Sequence, residues 1–342
     1  MTPLDDQQSS FTHICHALKD RWPVESWFRR PIMIAVSGGA DSVLLLRILM
    51  DLQQKSGKKG EIIIAHVDHG TRDSSANDAE FIRLLAEQHG LQLVSRRIDM
   101  GALKERTASE DTLRQARYEQ LMDMAHACGA RYLATGHNLE DQVETALFRI
   151  FRGTAFSGLQ GIPPLRVDGA VSIVRPLLHV SRQTILAALK EIEQPFCEDP
   201  SNRESHYTRN FLRNEILPLL RTRFPAIDGS IIKLVNLATE FEHYLNGQAE
   251  SLRASVSEHG DQELTLSKSE LEQADPLVIG QFFNQLWQER GWPRQDMSRE
   301  WWRKLTDLAR QREGQVVLNL PGDIRVESDP RRLRIKTESS PC

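Results

Sequence analysis

The sequence has few cysteines, and none of them are paired. Four are scattered along the 342 residues without a C-x-x-C motif; they are Cys15, Cys128, Cys197 and Cys342. Closely spaced cysteines are the usual ligands of structural zinc and iron–sulfur clusters, so their absence argues against both kinds of site. Isolated cysteines are typical of a reducing compartment. We therefore expect a cytoplasmic protein.

Long apolar segments are also missing. No stretch approaches the roughly 20 consecutive apolar residues that a membrane-spanning helix needs. The chain starts MTPLDDQQSSFTHICHALKDRW, in which acidic residues come early and no long apolar core follows. This pattern argues against a signal peptide. The sequence therefore predicts no membrane partner.

The chain has little net charge. The formal value of −4 gives no overall attraction to nucleic acid, so such a partner has to be bound by local basic patches. Arg209 and Arg213 form one candidate patch, with Arg203, Arg221 and Arg223 nearby in the sequence. Phosphate contact and a solvated helix face fit this charge pattern about equally well.

The strongest positive signal lies in residues 32–46, IMIAVSGGADSVLLL. An apolar strand is followed by a Ser/Gly turn and the start of a helix. Glycines let backbone N–H groups approach an anion, and the first turn of the helix directs unpaired N–H groups to the same point. The lysine of a G-x-x-x-x-G-K-S/T loop is absent. A phosphate-binding loop is favoured over a simple helix cap, and its predicted residues are Ser37, Gly38, Gly39, Ala40, Asp41 and Ser42.

Strand-like and helix-like segments alternate after this loop. The predicted strands are 61–68, 91–99 and 131–137, and the predicted helices are 74–90, 109–129, 138–153 and 181–193. This alternation predicts an α/β fold with a doubly wound, mostly parallel sheet. Ligands bind at the carboxyl ends of such strands, where the polar motifs fall. The Gly/Pro-rich segment 153–175 is expected to be mobile or ordered by substrate.

The remainder of the chain predicts further modules. Helices are expected near 226–250, 267–290 and 298–312, followed by the short strands QVVLNLP, DIRVE and RLRIK. The segment 251–263 is polar with little periodicity, as a domain boundary would be. We expect a catalytic domain over 1–220, a helical linker over 221–255 and a small α+β domain over 256–342.

Two more polar motifs follow predicted strands. His66 and His69 lie three apart, and zinc binding, contact with the adenosine of a nucleotide and simple packing at the strand end all remain open for them. Asn138 is expected to cap a helix, which puts Asp141 and Glu144 on one helical face. Two such carboxylates suit Mg²⁺ or an ammonium group, although acids in a first turn also complement the helix dipole.

Taken in order, five motifs carry a resemblance to a known family. They are SGGADS, HVDHGTR, EDTLRQARYEQL, ATGHNLEDQVET and EDPSNRESHYTRNFLRNEILPLL, within residues 30–220. Together they resemble the tRNA(Ile)-lysidine synthases, which belong to the N-type ATP pyrophosphatase, or PP-loop, superfamily. The C-terminal segments LEQADPLVIGQFFNQLW and GDIRVESDPRRLRI are similar to that family's tRNA-binding domain. The chain resembles the short form of the family, without a second C-terminal domain.

The resemblance implies a ligase reaction in two steps. ATP adenylates the C2 oxygen of the wobble cytidine in the isoleucine tRNA with a CAU anticodon, releasing pyrophosphate. The ε-amine of free L-lysine then attacks C2 and AMP is released. The product, lysidine, changes codon reading from AUG to AUA. Mg²⁺ is implied as a cofactor, and a homodimer remains open.

The resemblance also assigns roles to single positions. It implies that residues 37–42 hold ATP, with His66 beside the nucleotide, and that Asp41 and Asp141 lie near the metal. The other implied roles are Asp141 and Glu144 for Mg²⁺ and lysine, Arg117 and His137 beside the adenylate, and Arg209 at the reaction centre. Three positions depart from the family pattern, namely Thr71, Glu140 and Asn214. Of these, Glu140 alone bears on the metal ligands.

Three other classes of protein share parts of this pattern. A tRNA thiolase needs paired or catalytic cysteines in motifs that the chain lacks. Ligases that join an amine to a small acid, such as NAD and asparagine synthetases, leave the segment TRNFLRNEILP unexplained. A nucleotide-sensing RNA-binding protein would have no need for Asp41, Asp141 and Glu144.

Overall fold

The computed structural model describes residues 9–57, 60–68, 75–97, 110–197, 208–256, 258–259, 263–312 and 314–337. The chain divides into two compact units, Met1–Val235 and Asn236–Cys342. The division lies within one long helix, Ile227–Ser255. The catalytic domain, linker and C-terminal domain limits expected from the sequence stay a prediction.

The first unit is built on a six-stranded sheet. Its strands are β1 (Ile32–Ala35), β2 (Ile62–Asp68), β3 (Gln92–Arg97), β4 (Tyr132–Thr135), β5 (Leu165–Asp168) and β6 (Val171–Val174). The spatial order is β3-β2-β1-β4-β6-β5. Neighbours pair in parallel except at the edge, where β5 runs antiparallel to β6. The predicted doubly wound, mostly parallel sheet is confirmed.

Helices pack on both faces of this sheet, and further helices pack together in a separate cluster. In chain order they are α1 (Ser10–Arg21), α2 (Ala40–Lys55), α3 (Ser75–His89), α4 (Glu110–Ala127), α5 (Leu139–Phe151), α6 (Arg182–Glu191), α7 (Thr208–Phe211), α8 (Leu217–Arg223) and α9 (Ile227–Ser255). Alternate residues of β1 point to opposite faces, so Ile32 and Ile34 pack in the layer of α2 while Met33 and Ala35 pack in the layer of α4. All four are buried, as a central parallel strand requires.

The order of the strands determines where a ligand can bind. The chain moves from β1 outward through β2 and β3, then returns to the other side of β1 to form β4. The direction of winding therefore changes between β1 and β4. A crevice opens at the carboxyl ends of the strands at such a switch point, and ligands of open α/β sheets bind there.

The segment 153–175, which is expected from the sequence to be mobile or ordered by substrate, contains regular structure. It contains a short 3₁₀ turn (Phe156–Gln160) and the two paired strands β5 and β6. Gln142 Nε2 donates to the Gln160 and Ile162 carbonyls, and Arg149 donates to the Gly158 and Gly161 carbonyls. These side chains of α5 satisfy the backbone carbonyls of the turn.

The second unit contains a five-stranded antiparallel sheet in the order β7-β8-β11-β10-β9. Its strands are β7 (Glu258–His259), β8 (Glu263–Ser267), β9 (Val316–Leu320), β10 (Ile324–Ser328) and β11 (Arg332–Thr337). Its remaining helices are α10 (Lys268–Leu271), α11 (Pro276–Glu289) and α12 (Arg299–Arg310). The predicted small α+β module is confirmed.

Two details of this unit differ from the sequence-based expectation. The single helix predicted over 267–290 is two helices, because Asp275 caps a new helix that starts at Pro276. Strand β8 starts within the segment that looked like a polar boundary. Its Leu264 and Leu266 are buried in the core of the unit, and pairing with β11 explains the strand. Within the described ranges, no helix combines the length and the apolarity needed to cross a membrane.

Candidate active site

The loop between β1 and α2 leaves its backbone N–H groups open. Gly38 adopts a φ of +88°, and Gly39 precedes α2 as an N-cap without a side-chain cap. In the part of the chain that the structure describes, the N–H groups of residues 38–42 have no hydrogen-bond acceptor. Unpaired N–H groups at a helix start, reached through glycines, form a site for phosphate.

The two serines of the loop brace it from within. Ser42 Oγ donates to the Gly39 carbonyl at 2.9 Å and accepts from the Ser37 N–H at 3.2 Å. The two hydroxyl oxygens lie 3.3 Å apart, and Ser42 is buried. Ser42 therefore fixes the curvature of the loop.

Cys197 supports the loop from a distant part of the chain. Its N–H donates to the Gly38 carbonyl at 2.9 Å, and a Cβ at Gly38 would lie 3.3 Å from its Sγ. Burial, with a hydrogen bond to Asp78, raises the pKa of the Cys197 thiol to about 11. The thiol is thus protonated at neutral pH, so it is a packing group here.

The end of β4 passes very close to the start of α2. A Cβ at Gly136 would lie 3.0 Å from the Asp41 carbonyl carbon and 3.0 Å from the Ser42 nitrogen. Any side chain at this position would push against backbone that cannot rotate away. Gly136 therefore lets the strand that carries His137 reach the phosphate loop.

Asp41 is held by two donors at this junction. Asn138 Nδ2 donates to its Oδ1 at 3.2 Å, and the Arg182 guanidinium donates to its Oδ2 at 2.5 Å. Burial raises the pKa of Asp41, with the carboxylates of Asp141 and Glu140 adding to the effect, while Arg182 and Asn138 oppose it. Asp41 and Asp141 are thus close enough to influence each other's charge.

Asn138 connects the phosphate loop to the acidic helix α5. Its Oδ1 accepts from the Asp141 N–H at 3.0 Å, and its own N–H donates to Asp141 Oδ2 at 3.0 Å, which is a complete capping box. The same side chain donates to Asp41. One buried residue therefore sets the position of both candidate metal ligands.

Asp141 and Glu144 share one arginine. Arg213 donates to both oxygens of Glu144, at 2.6 and 2.7 Å, and to Asp141 Oδ1 at 3.2 Å. Arg213 lies in a π-helical turn, Leu212–Ile216, between α7 and α8. A π-turn is rare in helices and occurs often at functional sites. The predicted common face of the two carboxylates is thus observed, with Arg213 in front of it.

The carboxyl group of Glu144 is buried beside Arg213. The side chain is 2% exposed, and burial raises the pKa of its carboxyl group while Arg213 opposes the shift. Arg209 donates to Thr145 Oγ1, four residues after Asp141 on α5. Arg209 therefore reaches the same helix face as the acidic pair.

A cationic cluster surrounds His137. Burial lowers the pKa of His137 to about 3, and the nearby Arg175, Arg114 and Arg117 also lower it against the opposing effect of Asp141. The imidazole is therefore neutral at pH 7, and its Nδ1 lies 2.8 Å from Thr135 Oγ1. Burial also lowers the pKa of Arg117, which has no hydrogen-bond or ion-pair partner among the described residues. An incompletely solvated arginine of this kind suits an anionic ligand.

His66 lies beside the phosphate loop on β2. It is buried, and its Nδ1 lies 3.0 Å from the Val36 carbonyl, which can only accept, so the proton is on Nδ1. The residues that complete its motif, from His69 to Arg72, lie outside the described residues. His66 is therefore positioned at the strand end next to the loop, as the sequence predicted.

The site fits a nucleotide and a divalent ion by the chemistry of its groups. The N–H groups of the loop suit phosphate, and Asp41 with Asp141 suits Mg²⁺, which proteins bind through one or two carboxylates together with phosphate oxygens. Within the described ranges, no group of three or more His, Cys, Asp or Glu side chains is arranged to hold a metal ion.

Comparisons with known proteins agree with this geometry. A family model described as a PP-loop domain matches residues 10–220. A tRNA(Ile)-lysidine synthase of Rhodopirellula baltica is 30% identical, and the match covers 89% of this chain and 86% of that protein. The chain belongs to the tRNA(Ile)-lysidine synthase family. The synthase of Deinococcus deserti is 39% identical over 67% of this chain, and the match spans 41% of that longer protein.

The fold of this family member also resembles that of a solved structure. The U34-tRNA thiolase NcsA from Methanococcus maripaludis, with its 4Fe–4S cluster, matches with a TM-score of 0.57 at 15% identity. The match covers 67% of this chain and 80% of the thiolase. At this identity the likeness concerns the fold alone.

The sequence patterns do not reveal several residues of this site. Arg182 is 141 residues from Asp41 in the chain, and no pattern links the two. Gly136 has a signal only in hindsight, as a glycine between a strand end and a capped helix. Arg213 was noted as part of a basic surface, whereas the structure pairs it with Asp141 and Glu144.

Proposed function

We propose that the protein joins free L-lysine to C2 of the wobble cytidine in the isoleucine tRNA with a CAU anticodon. ATP drives the reaction through an adenylated cytidine, with release of pyrophosphate and AMP. One observation carries the proposal: the side chain of Asn138 is hydrogen-bonded both to Asp41 of the phosphate loop and to Asp141 of the acidic pair. The groups that suit ATP and the groups that suit an amine thus border one site.

In the first step, the C2 oxygen of the cytosine attacks the α-phosphorus of ATP and pyrophosphate leaves. The open N–H groups of residues 38–42 orient the phosphates, and Mg²⁺, held by Asp41 and Asp141, would neutralise their charge. We assign Arg117 and His137 to the anionic adenylate: Arg117 would supply positive charge, and the neutral imidazole of His137 a polar contact. Positioning and charge neutralisation account for most of such a step.

In the second step, the ε-ammonium of lysine binds between Asp141 and Glu144. It first loses a proton, and Glu144 is the candidate acceptor because burial raises the pKa of its carboxyl group. The free amine then attacks C2, and AMP leaves with the former C2 oxygen. Arg213 must release at least one Glu144 oxygen for this to happen, because it occupies both.

The wobble base has to leave its stack to reach such a site, as in other enzymes that act on bases. Arg209 lies near the acidic pair, four residues before Arg213 in the sequence. We assign Arg209 to contact with the tRNA there. The reaction takes place in the cytoplasm, where tRNA, ATP and lysine occur together. A homodimer is not required by any of these steps.

The test is to incubate the protein with ATP, Mg²⁺, labelled lysine and single tRNAs. We expect lysine label on the CAU isoleucine tRNA and not on the methionine tRNA, which shares the CAU anticodon. Asp41→Ala should abolish AMP release and retain tRNA binding. Arg83→Gln is the matched control, since Arg83 is an exposed, ion-paired arginine on α3. Product formation that needs sulfide or ammonia in place of lysine would refute the proposal.

A further inference from the structure

Arg182 contacts the phosphate loop through Asp41, and neither the motifs nor the proposed steps give it a role. Its guanidinium donates to Asp41 Oδ2 at 2.5 Å, and its side chain remains 44% exposed. Its other guanidinium N–H groups have no acceptor among the described residues. A partly solvated arginine with unused donors has room for a second ligand.

The backbone of Arg182 is fixed at this place. It is the first residue of α6, whose N-cap is Ser181. Its N–H donates to Glu140 Oε2 at 2.9 Å, so α5 and α6 are joined beside the phosphate loop. The Cα therefore stays near the site whatever the guanidinium contacts, and the long side chain is the part that can change partner.

A bound nucleotide changes the charge around Asp41. Asp41 lies in the first turn of α2, next to the open N–H groups, so polyphosphate bound there brings negative charge to the same place. A divalent cation on Asp41 relieves that repulsion, but it cannot share Oδ2 with a guanidinium 2.5 Å away without a like-charge contact. Metal and Arg182 therefore compete for one oxygen.

We infer that Arg182 exchanges partners during the reaction: it neutralises Asp41 in the free protein and binds the β- and γ-phosphates of ATP, the future pyrophosphate, once metal has taken Asp41. This role rests on the proposed use of ATP and Mg²⁺ at the loop. Arg182 is then a substrate-binding residue that belongs to the activation step. Its planar guanidinium can bind two phosphate oxygens at once, whereas the ammonium of a lysine at the same position could not.

The experiment measures two ligands separately, in the absence of tRNA and lysine. Mn²⁺ alone is titrated by electron paramagnetic resonance, and pyrophosphate is titrated by calorimetry at saturating Mg²⁺, so that metal has already displaced Arg182 from Asp41. In Arg182→Gln we expect Mn²⁺ to bind about tenfold more tightly, because its competitor is gone, and pyrophosphate to bind at least about tenfold more weakly. Arg182→Lys should restore the Mn²⁺ affinity of the wild type and recover only part of the pyrophosphate affinity.

The opposite changes expected in the Mn²⁺ and pyrophosphate affinities distinguish partner exchange from damage to the fold. Arg83→Gln, which removes an arginine of similar exposure from α3, should change neither affinity. An Arg182→Gln protein that loses both ligands, keeps both unchanged or changes only one would overturn the inference. Because neither titration involves lysine or tRNA, failure of lysidine formation in the earlier assay would leave this result interpretable.

Discussion

Asn138 is the residue whose removal should separate structure from chemistry most clearly. It is 4% exposed and makes two distinct contacts: its Oδ1 caps α5 through the Asp141 N–H, and its Nδ2 donates to Asp41. Asn138→Ala removes both contacts. Asn138→Ser keeps a capping oxygen, but its shorter side chain cannot reach Asp41.

The magnitudes follow from the two contacts. Loss of an N-cap costs about 1 kcal/mol, and loss of a hydrogen bond to a charged group costs about 1.5–3 kcal/mol. We therefore expect the free energy of unfolding to fall by about 3 kcal/mol in Asn138→Ala and by about 2 kcal/mol in Asn138→Ser. The difference between the two variants is the cap, and the difference between Asn138→Ser and the wild type is the contact with Asp41.

Urea unfolding of both variants, with Mn²⁺ titration of each, checks this prediction. Asn138→Ser should bind Mn²⁺ about tenfold more weakly, because Asp41 loses the donor that orients it. Ser298→Ala, which removes the cap of α12 in the second unit, is the control and should leave Mn²⁺ binding unchanged. A double-mutant cycle with Asp41→Asn should give a coupling energy of at least about 1 kcal/mol. Additive effects in that cycle would refute the argument.

Three further predictions concern the same crevice. Gly136→Ala should lower the free energy of unfolding by about 1–3 kcal/mol and weaken pyrophosphate binding, because its Cβ would meet the loop backbone at 3.0 Å; Gly229→Ala, with open space around it, should not destabilise the protein. The pKa of His137 is lowered to about 3, so below about pH 6.5 only the unfolded chain gains a proton there, and the free energy of unfolding should fall by up to about 1.4 kcal/mol per pH unit. In urea titrations between pH 7 and 5, His137→Gln should lack this part of the pH dependence. An equal pH dependence in the wild type and the variant would contradict the prediction. Glu144→Gln should keep ATP- and tRNA-dependent pyrophosphate release but lose transfer of labelled lysine, whereas loss of both steps would assign Glu144 to activation.

Local patterns explain what the sequence alone could predict. The apolar run of β1 and the glycines after it define the phosphate loop within a few neighbouring residues, so the prediction needs no knowledge of the rest of the fold. The same holds for Asn138, whose cap and i,i+3 spacing to Asp141 are properties of one helix. Patterns of this kind depend on nearest neighbours along the chain.

Contacts between distant segments explain what the sequence could not predict. Glycine and proline in 153–175 indicate turns, but order in that segment depends on Gln142 and Arg149, which belong to another element. The support that Cys197 gives to Gly38 spans most of the first unit in sequence. No periodicity within either segment encodes such a contact, so only the folded structure reveals it.

The carboxylates of the site share one electrostatic arrangement. Each carboxylate proposed to bind a cation already has an arginine: Arg182 on Asp41, and Arg213 on Asp141 and Glu144. Leaving such partly buried carboxylates unpaired would cost several kcal/mol, by order of magnitude, so the arginines stabilise the charged carboxylates. Mg²⁺ and the lysine ammonium would then bind by replacing a guanidinium at these carboxylate oxygens. Both arginines lie outside the phosphate loop, Arg182 in α6 and Arg213 in the π-turn. Binding of a cation at the carboxylates would therefore also change the contacts of these two segments.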